Sequence, residues 1–355
     1  MRIDRRTFLL NALAAAGTTG VAVATGCSRR GGSEPLRKAA QYLWAQQSED
    51  GGFHSATYGL LRSGQSLTPF VLLALLSIPD GESLNPRRSV ERALTFIKAN
   101  TNSDGALGLM DDTAADYPNY ATALAVSAIV KSRNPGYDRV IKAMVAQLRA
   151  QQFSESNGWM PQEAPYGGWG MGGSIRRPPE AGHVDLSMTR YALEALQLYG
   201  ILDSDIVRTR ALEYLKRSQN PDGGFFFSPV NPEINKAGAS VDGGFASYGT
   251  ATADGVLALR AAGISDKDPR IAKAITWLRD HHQSDRAPGF DKGTDQPWGS
   301  GLRFYYAHVI SRVLPGLPIE LPPQAVDGSF RNSNKLVKED DPLIATAFAL
   351  YVMAR

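Results

Sequence analysis

The sequence predicts an all-α fold, an α/α toroid of about five and a half to six helical hairpins with inner and outer helix layers. Three observations predict it. A glycine turn, most often Asp-Gly or Asn-Gly, recurs along the chain. A charged amphipathic segment precedes most of these turns. A nearly uncharged Ala/Leu-rich segment follows each, with a threonine at a constant place in five of them.

The chain opens "MRIDRRTFLLNALAAAGTTGVAVATGC". Arg5 and Arg6 are adjacent, and a mildly apolar stretch runs from Phe8 to Val23. It is too short and too weakly hydrophobic for a good membrane span. This resembles a twin-arginine export signal, which a transporter reads as an address. Small residues before the lone Cys27 resemble a bacterial lipobox. That resemblance implies cleavage before Cys27 and its acylation, with each buried methylene adding about 0.8 kcal/mol of membrane affinity. The expected organisation is a signal peptide at 1–26, a lipidated tether at 27–34 and a toroid domain at 35–355. The expected location is the cell envelope, with the chain lipid-anchored at the periplasmic or extracellular side of a membrane.

Composition removes several function classes. Acylation of Cys27, the only cysteine, leaves no thiol for a disulfide, a thiolate zinc site or a cysteine nucleophile. Residues 1–26 hold three arginines and one aspartate, so the remainder carries 35 basic and 34 acidic residues. A near-neutral domain without a Lys/Arg block is not built for nucleic acid.

The turns are "SEDGGFHS" (48–55), "NSDGALGL" (102–109), "SNGWMPQ" (156–162), "NPDGGFFF" (220–227), "APGFDKG" (287–293) and "VDGSFRN" (326–332). Asp and Asn tolerate left-handed backbone angles and glycine adopts them freely. The amphipathic segments fall at 36–47, 90–100, 140–152, 209–219 and 271–283, with apolar residues near i, i+3, i+4 and i+7. The apolar segments fall at 67–78, 120–130, 186–200, 248–263, 301–313 and 342–354. The constant threonines are Thr68, Thr122, Thr189, Thr252 and Thr346; Phe304 stands in that place in the segment 301–313. The amphipathic helices face solvent and the apolar ones are buried on most sides. Hairpins that cannot bury their own faces stack into a ring. The stretch "LPGLPIELPPQAVDG" is too proline-rich for a full outer helix.

An outer helix ending in Gln, then Asp-Gly-Gly-Phe, then an Ala/Leu-rich inner helix resembles the prenyltransferase and squalene-oxidase repeat family. "YLWAQQSEDGGF" and "YLKRSQNPDGGFFF" carry the likeness most strongly. The family includes squalene–hopene cyclases and protein prenyltransferase β-subunits; related toroids include thioester domains and polysaccharide lyases. The resemblance implies a hydrophobic, isoprenoid-like ligand, no cofactor, and cyclase-like chemistry if the chain is an enzyme. The zinc prenyltransferases need a cysteine near "FASYGTATADG", and none is present, so no metal is expected. Squalene–hopene cyclases carry Asp-x-Asp-Asp at the head of an inner helix; here "KEDD" (338–341) keeps the last two acids, so Asp340 and Asp341 are the catalytic candidates.

Those acids also have a structural reading. Pro342 suits the first turn of a helix, and an aspartate before it can cap the orphan N–H groups. The same holds for Asp185 and Asp116. Asp116, His183, Asp185, Tyr248, Asp340 and Asp341 all precede inner helices, so the predicted ring gathers them at one rim. The insertion at 161–183, with Trp169, Arg176 and Arg177, could be a lid, a stacking platform or a solvated loop. Other readings are a non-catalytic cell-envelope scaffold for a protein partner and a polysaccharide lyase-like toroid.

Overall fold

The computed structural model describes residues 33–79, 84–109, 116–201, 205–240, 243–290 and 296–355. Its outer helices are α1 (Glu34–Ala45), α3 (Arg87–Ala99), α5 (Asp138–Ala150), α7 (Ile206–Arg217) and α9 (Pro269–His281). Its inner helices are α2 (Leu67–Leu75), α4 (Pro118–Ser132), α6 (Leu186–Tyr199), α8 (Gly249–Ala261), α11 (Arg303–Val313) and α12 (Pro342–Met353), with a single turn, α10 (Trp298–Gly301), before α11. Outer helices bury one stripe only, as in α1, where Leu36, Ala39, Ala40 and Leu43 face inward. Inner helices are buried nearly all round: thirteen positions make α8, and only Arg260 among them is not fully buried.

The inner helices pack in the order α2, α4, α6, α8, α11, α12 and back to α2, so the ring closes. Outer helices lie over the preceding inner helix, α3 on α2, α5 on α4 and α9 on α8. By the same rule α1 covers α12, and the first helix of the ring seals its last. The position over α11 has no helix among the described residues. The proline-rich segment crosses there in extended form, and Leu317, Ile319 and Leu321 pack against the core. It is pinned at Glu320, whose N–H donates to the Ser284 carbonyl (2.9 Å).

The constant threonines explain how each turn docks on its inner helix. Each hydroxyl oxygen accepts a hydrogen bond from the backbone N–H of the residue that follows the turn glycine or its neighbour: Phe53 to Thr68 (2.9 Å), Leu107 to Thr122 (3.0 Å), Trp169 to Thr189 (3.1 Å), Phe225 to Thr252 (3.0 Å) and Phe330 to Thr346 (2.9 Å). These N–H groups are buried, and an orphaned one costs about 1–3 kcal/mol. The glutamine that ends the outer segment makes the second joint. Gln47, Gln152, Gln219 and Gln324 each donate to a turn carbonyl and to a carbonyl at the start of the next outer helix. Gln324 reaches Pro35 (2.9 Å), closing the circle that the missing outer helix leaves.

The third repeat corrects the sequence reading. The turn that docks on Thr189 is not 156–162 but Gly167–Gly168–Trp169, because a short 3₁₀ turn (Glu155–Asn157) is inserted ahead of it. Trp169 is therefore core, fully buried, with its indole N–H on the Leu148 carbonyl (2.7 Å), and offers no stacking platform. Gly167 has φ +87°, and a Cβ there would sit 1.9 Å from the Arg210 carbonyl oxygen, so only glycine fits. Residues 169–170 and 184–185 pair as a two-stranded antiparallel ribbon, β1 and β2.

Candidate functional site: an aromatic pocket at the amino ends of the inner helices

Each acid that precedes an inner helix has a definite partner. Asp341 caps α12: one carboxylate oxygen accepts from the Leu343 N–H (2.9 Å) and the other from the Ser55 hydroxyl (2.5 Å). Asp185 caps α6 through the Met188 N–H (2.9 Å), and its second oxygen lies 2.8 Å from His183 Nε2. Asp116 serves a neighbouring helix. It is fully buried and accepts from the Ser66 N–H (3.1 Å), the Ser66 hydroxyl (2.7 Å) and the Ser63 hydroxyl (2.9 Å) at the head of α2. Burial pushes its carboxyl above the usual range, and those hydrogen bonds oppose the shift. Tyr248, ahead of α8, is buried with its ring against Phe290 at 5.1 Å. Asp340 accepts from the Tyr58 hydroxyl; burial, and then that contact, push the phenol up to about 12.

Glu339, between Lys338 and Asp340, is the acid that the sequence motif passes over. It is 1% exposed. Its carboxylate accepts from the N–H groups of Phe304 (2.9 Å) and Tyr305 (2.8 Å) and from the Asn332 side-chain amide (2.8 Å). Glu339 thus caps the head of α11, where Phe304 stands in the place of the constant threonine. Burial pushes its carboxyl up to about 7 against the pull of these three donors.

Glu339 and Lys338 stand in the wall of a pocket of about 220 Å³ whose other walls include Phe70, Tyr120, Tyr191, Tyr305, Ile344 and Phe348. The aromatic rings meet edge to face, Tyr120 on Tyr191 at 4.6 Å and Phe70 on Phe348 at 4.8 Å. The Lys338 ammonium lies 3.3 Å from the Tyr117 hydroxyl and about as near the Tyr58 ring (5.9 Å) as the Tyr117 ring (5.7 Å). Tyr117 (φ 46°) and Lys338 (φ 65°) are both left-handed. Such non-glycine geometry costs on the order of 1–3 kcal/mol per residue and persists where the surroundings enforce it, often at functional sites.

A buried ionic group lies behind Tyr191 and Tyr305 of this wall. Arg190, fully buried on α6, donates to Asp254 (3.0 Å), Glu194 (2.9 Å) and the Tyr305 hydroxyl (3.0 Å), and its guanidinium lies 3.5 Å over the Tyr191 ring. Burial pushes Asp254 up to about 6, with Arg190 holding it down.

Of the residues singled out from sequence, Asp340 and Asp341 directly follow Glu339, and Asp116 and Asp185 bond to Ser66 and Ser187 in the pocket wall. His183 and Tyr248 do not line this pocket; His183 faces a separate cavity of about 150 Å³ beside Arg176. Cys27, Arg5 and Arg6 lie outside the described residues. Among the described residues no group of three or more His, Cys, Asp or Glu side chains is placed to hold a metal, and no helix is long and apolar enough to cross a membrane.

Comparison with known proteins gives two family matches, the A-macroglobulin TED domain over residues 28–231 and the prenyltransferase alpha-alpha toroid domain over residues 179–336. The chain is a squalene-cyclase-like α/α toroid of the prenyltransferase-repeat family. The TED match spans more than half of the chain and makes this toroid a member of that family as well, although the matched residues hold no cysteine from which a thioester could form. Over 196 residues the toroid is 28% identical to drimenyl diphosphate synthase of Streptantibioticus cattleyicolor, covering 55% of this chain and 32% of the relative, so it spans about a third of that protein. The type II terpene cyclase MstE from Scytonema superposes with TM-score 0.56 at 14% identity, over 90% of this chain and 96% of the other, and has also been solved with its substrate geranylgeranyl dihydroxybenzoate. Protein geranylgeranyltransferase-I of Candida albicans, solved with GGPP, gives TM-score 0.54 at 13% identity, over 89% of this chain and 91% of the other. These likenesses establish the fold.

Proposed function

We propose that this toroid binds an isoprenoid-like hydrophobic ligand in the aromatic pocket, as an exported protein held at a membrane surface by acylated Cys27. The observation that carries the reading is the pocket itself, with mostly apolar and aromatic walls and one buried acid at the amino ends of the inner helices. Toroids of the same fold solved with prenylated ligands support it. At about 220 Å³ the pocket is below the roughly 300–1,000 Å³ of a drug-sized site. It suits a short prenyl chain or one end of a longer one. The aromatic faces would favour positive charge on such a chain. Glu339 is the acid in contact with it, and Asp340 and Asp341 hold the segment that presents Glu339.

Titration of the purified chain with farnesol should give saturable binding. Ile344→Trp, which fills the pocket from α12, should weaken it at least tenfold. Unchanged binding in that variant would place the ligand elsewhere. The anchor is tested separately: labelled palmitate should enter the wild-type chain in a bacterial host and not Cys27→Ser, and equal labelling of both would remove the lipoprotein reading.

A further inference from the structure

A second cavity lies at the other end of the ring, lined by the carboxyl ends of several inner helices. It measures about 560 Å³, within the roughly 300–1,000 Å³ of small-molecule sites. Lys131, Arg190, Arg260, Arg312 and Arg355 line it, and Glu194 is the one carboxylate side chain among its described lining residues. Phe70, Leu73 and Leu124 give it an apolar side.

Lys131, Arg260 and Arg312 occupy the last turns of α4, α8 and α11. Cations there complement helix dipoles, an effect confined to the last turn and typically worth 0.3–1 kcal/mol each. That accounts for their sequence positions. It does not account for their convergence on one cavity. Arg190 is matched by Asp254 and Glu194, Arg312 by Glu194 (2.6 Å), and Arg260 by Asp266 (2.8 Å). Lys131 and Arg355 have no ion pair among the described residues. Burial, and then the charges of Arg312 and Arg355, lower the proton affinity of Lys131. One further group is unmatched: His308 is 3% exposed, lines the same cavity, and its Nδ1 has no hydrogen-bond partner. Like charges gathered without counter-charge are costly unless an anion completes the site.

We propose that this cavity is a second ligand site, for an anion of phosphate type. Lys131 and Arg355 take its negative oxygens, Arg312 is within the same wall, and the Phe70–Leu73–Leu124 side accepts an organic substituent. Arginine forks and an ammonium are the groups that recognise phosphate oxygens. The site shares Phe70 and Tyr191 with the aromatic pocket but none of that pocket's acids.

The test is calorimetric titration with inorganic diphosphate at constant ionic strength. The full chain should bind at one saturable site. Lys131→Gln/Arg355→Gln, which breaks no ion pair among the described residues, should bind at least tenfold more weakly. Ile344→Trp should bind diphosphate as the wild type does, which separates this site from the aromatic pocket. Flotation of the Cys27→Ser chain with phosphatidylglycerol vesicles distinguishes sources. Co-flotation that the double substitution abolishes assigns the phosphate to a lipid headgroup; diphosphate binding without flotation assigns it to a soluble ligand. No saturable binding to either probe, or equal binding by the double variant, overturns the proposal.

Discussion

Arg190→Met should destabilise the ring by about 3–5 kcal/mol at pH 8, since removing one partner of a buried ion pair leaves the other uncompensated. Glu194 keeps Arg312, but Asp254 keeps only the Tyr305 hydroxyl. The loss should shrink at pH 5. The Asp254 carboxyl is raised, to about 6 in the folded chain from an ordinary 3.8. A raised acid binds more protons folded than unfolded, so its contribution to stability falls as pH climbs between those two values. Arg190 is what holds the folded value down. Without it the value rises further, and the falling window extends through neutrality. Urea unfolding at both pH values measures this. An equal loss at pH 5 and pH 8 would mean that Arg190 acts through packing over Tyr191 and not through charge. Arg190→Met/Asp254→Leu should recover much of the loss, because apolar replacement of a whole buried pair is often neutral or stabilising.

The ring was legible from sequence because each hairpin repeats the same physical problem. A turn N–H must be satisfied, and a threonine at a fixed place does it, so Thr68, Thr122, Thr189, Thr252 and Thr346 are visible as a pattern before any helix is built. The proline-rich break at 314–325 was legible for the opposite reason, that it cannot donate helical hydrogen bonds. The role of Gln324 was not, since its bond to Pro35 joins residues at opposite ends of the domain. The site was half legible. The rim acids were found by position, yet most of them cap helices, and a cap and a binding group share one sequence signature. Glu339 was missed because the family motif treats its place as variable. No local signal marked it, since the Phe304 and Tyr305 N–H groups that it accepts from lie 35 and 34 residues earlier in the chain. Arg190 and Asp254 lie 64 residues apart on different helices, and nothing local in either segment pairs them.

Glu339→Gln should flatten the pH dependence of stability between pH 6 and 8. In the wild type the folded carboxyl sits at about 7, above its ordinary 4.5, so the folded chain holds a proton that the unfolded chain releases. This raised acid therefore gives stability that falls as pH rises from about 4.5 to 7 and is level above. From pH 6 to 8 the fall attributable to it is about 1 kcal/mol. Other groups titrate in that range, and the difference between wild type and variant cancels them. Ligand binding gives the larger readout. A hydrophobic chain in the pocket strips the last water from Glu339 and raises its carboxyl further. Farnesol should then bind the wild type several-fold more weakly at pH 8.5 than at pH 6, and bind Glu339→Gln equally at both. A variant that keeps the wild-type pH profile would show that Glu339 serves only to hold the Phe304 and Tyr305 N–H groups. The pocket would then have no carboxyl in its wall able to supply a proton.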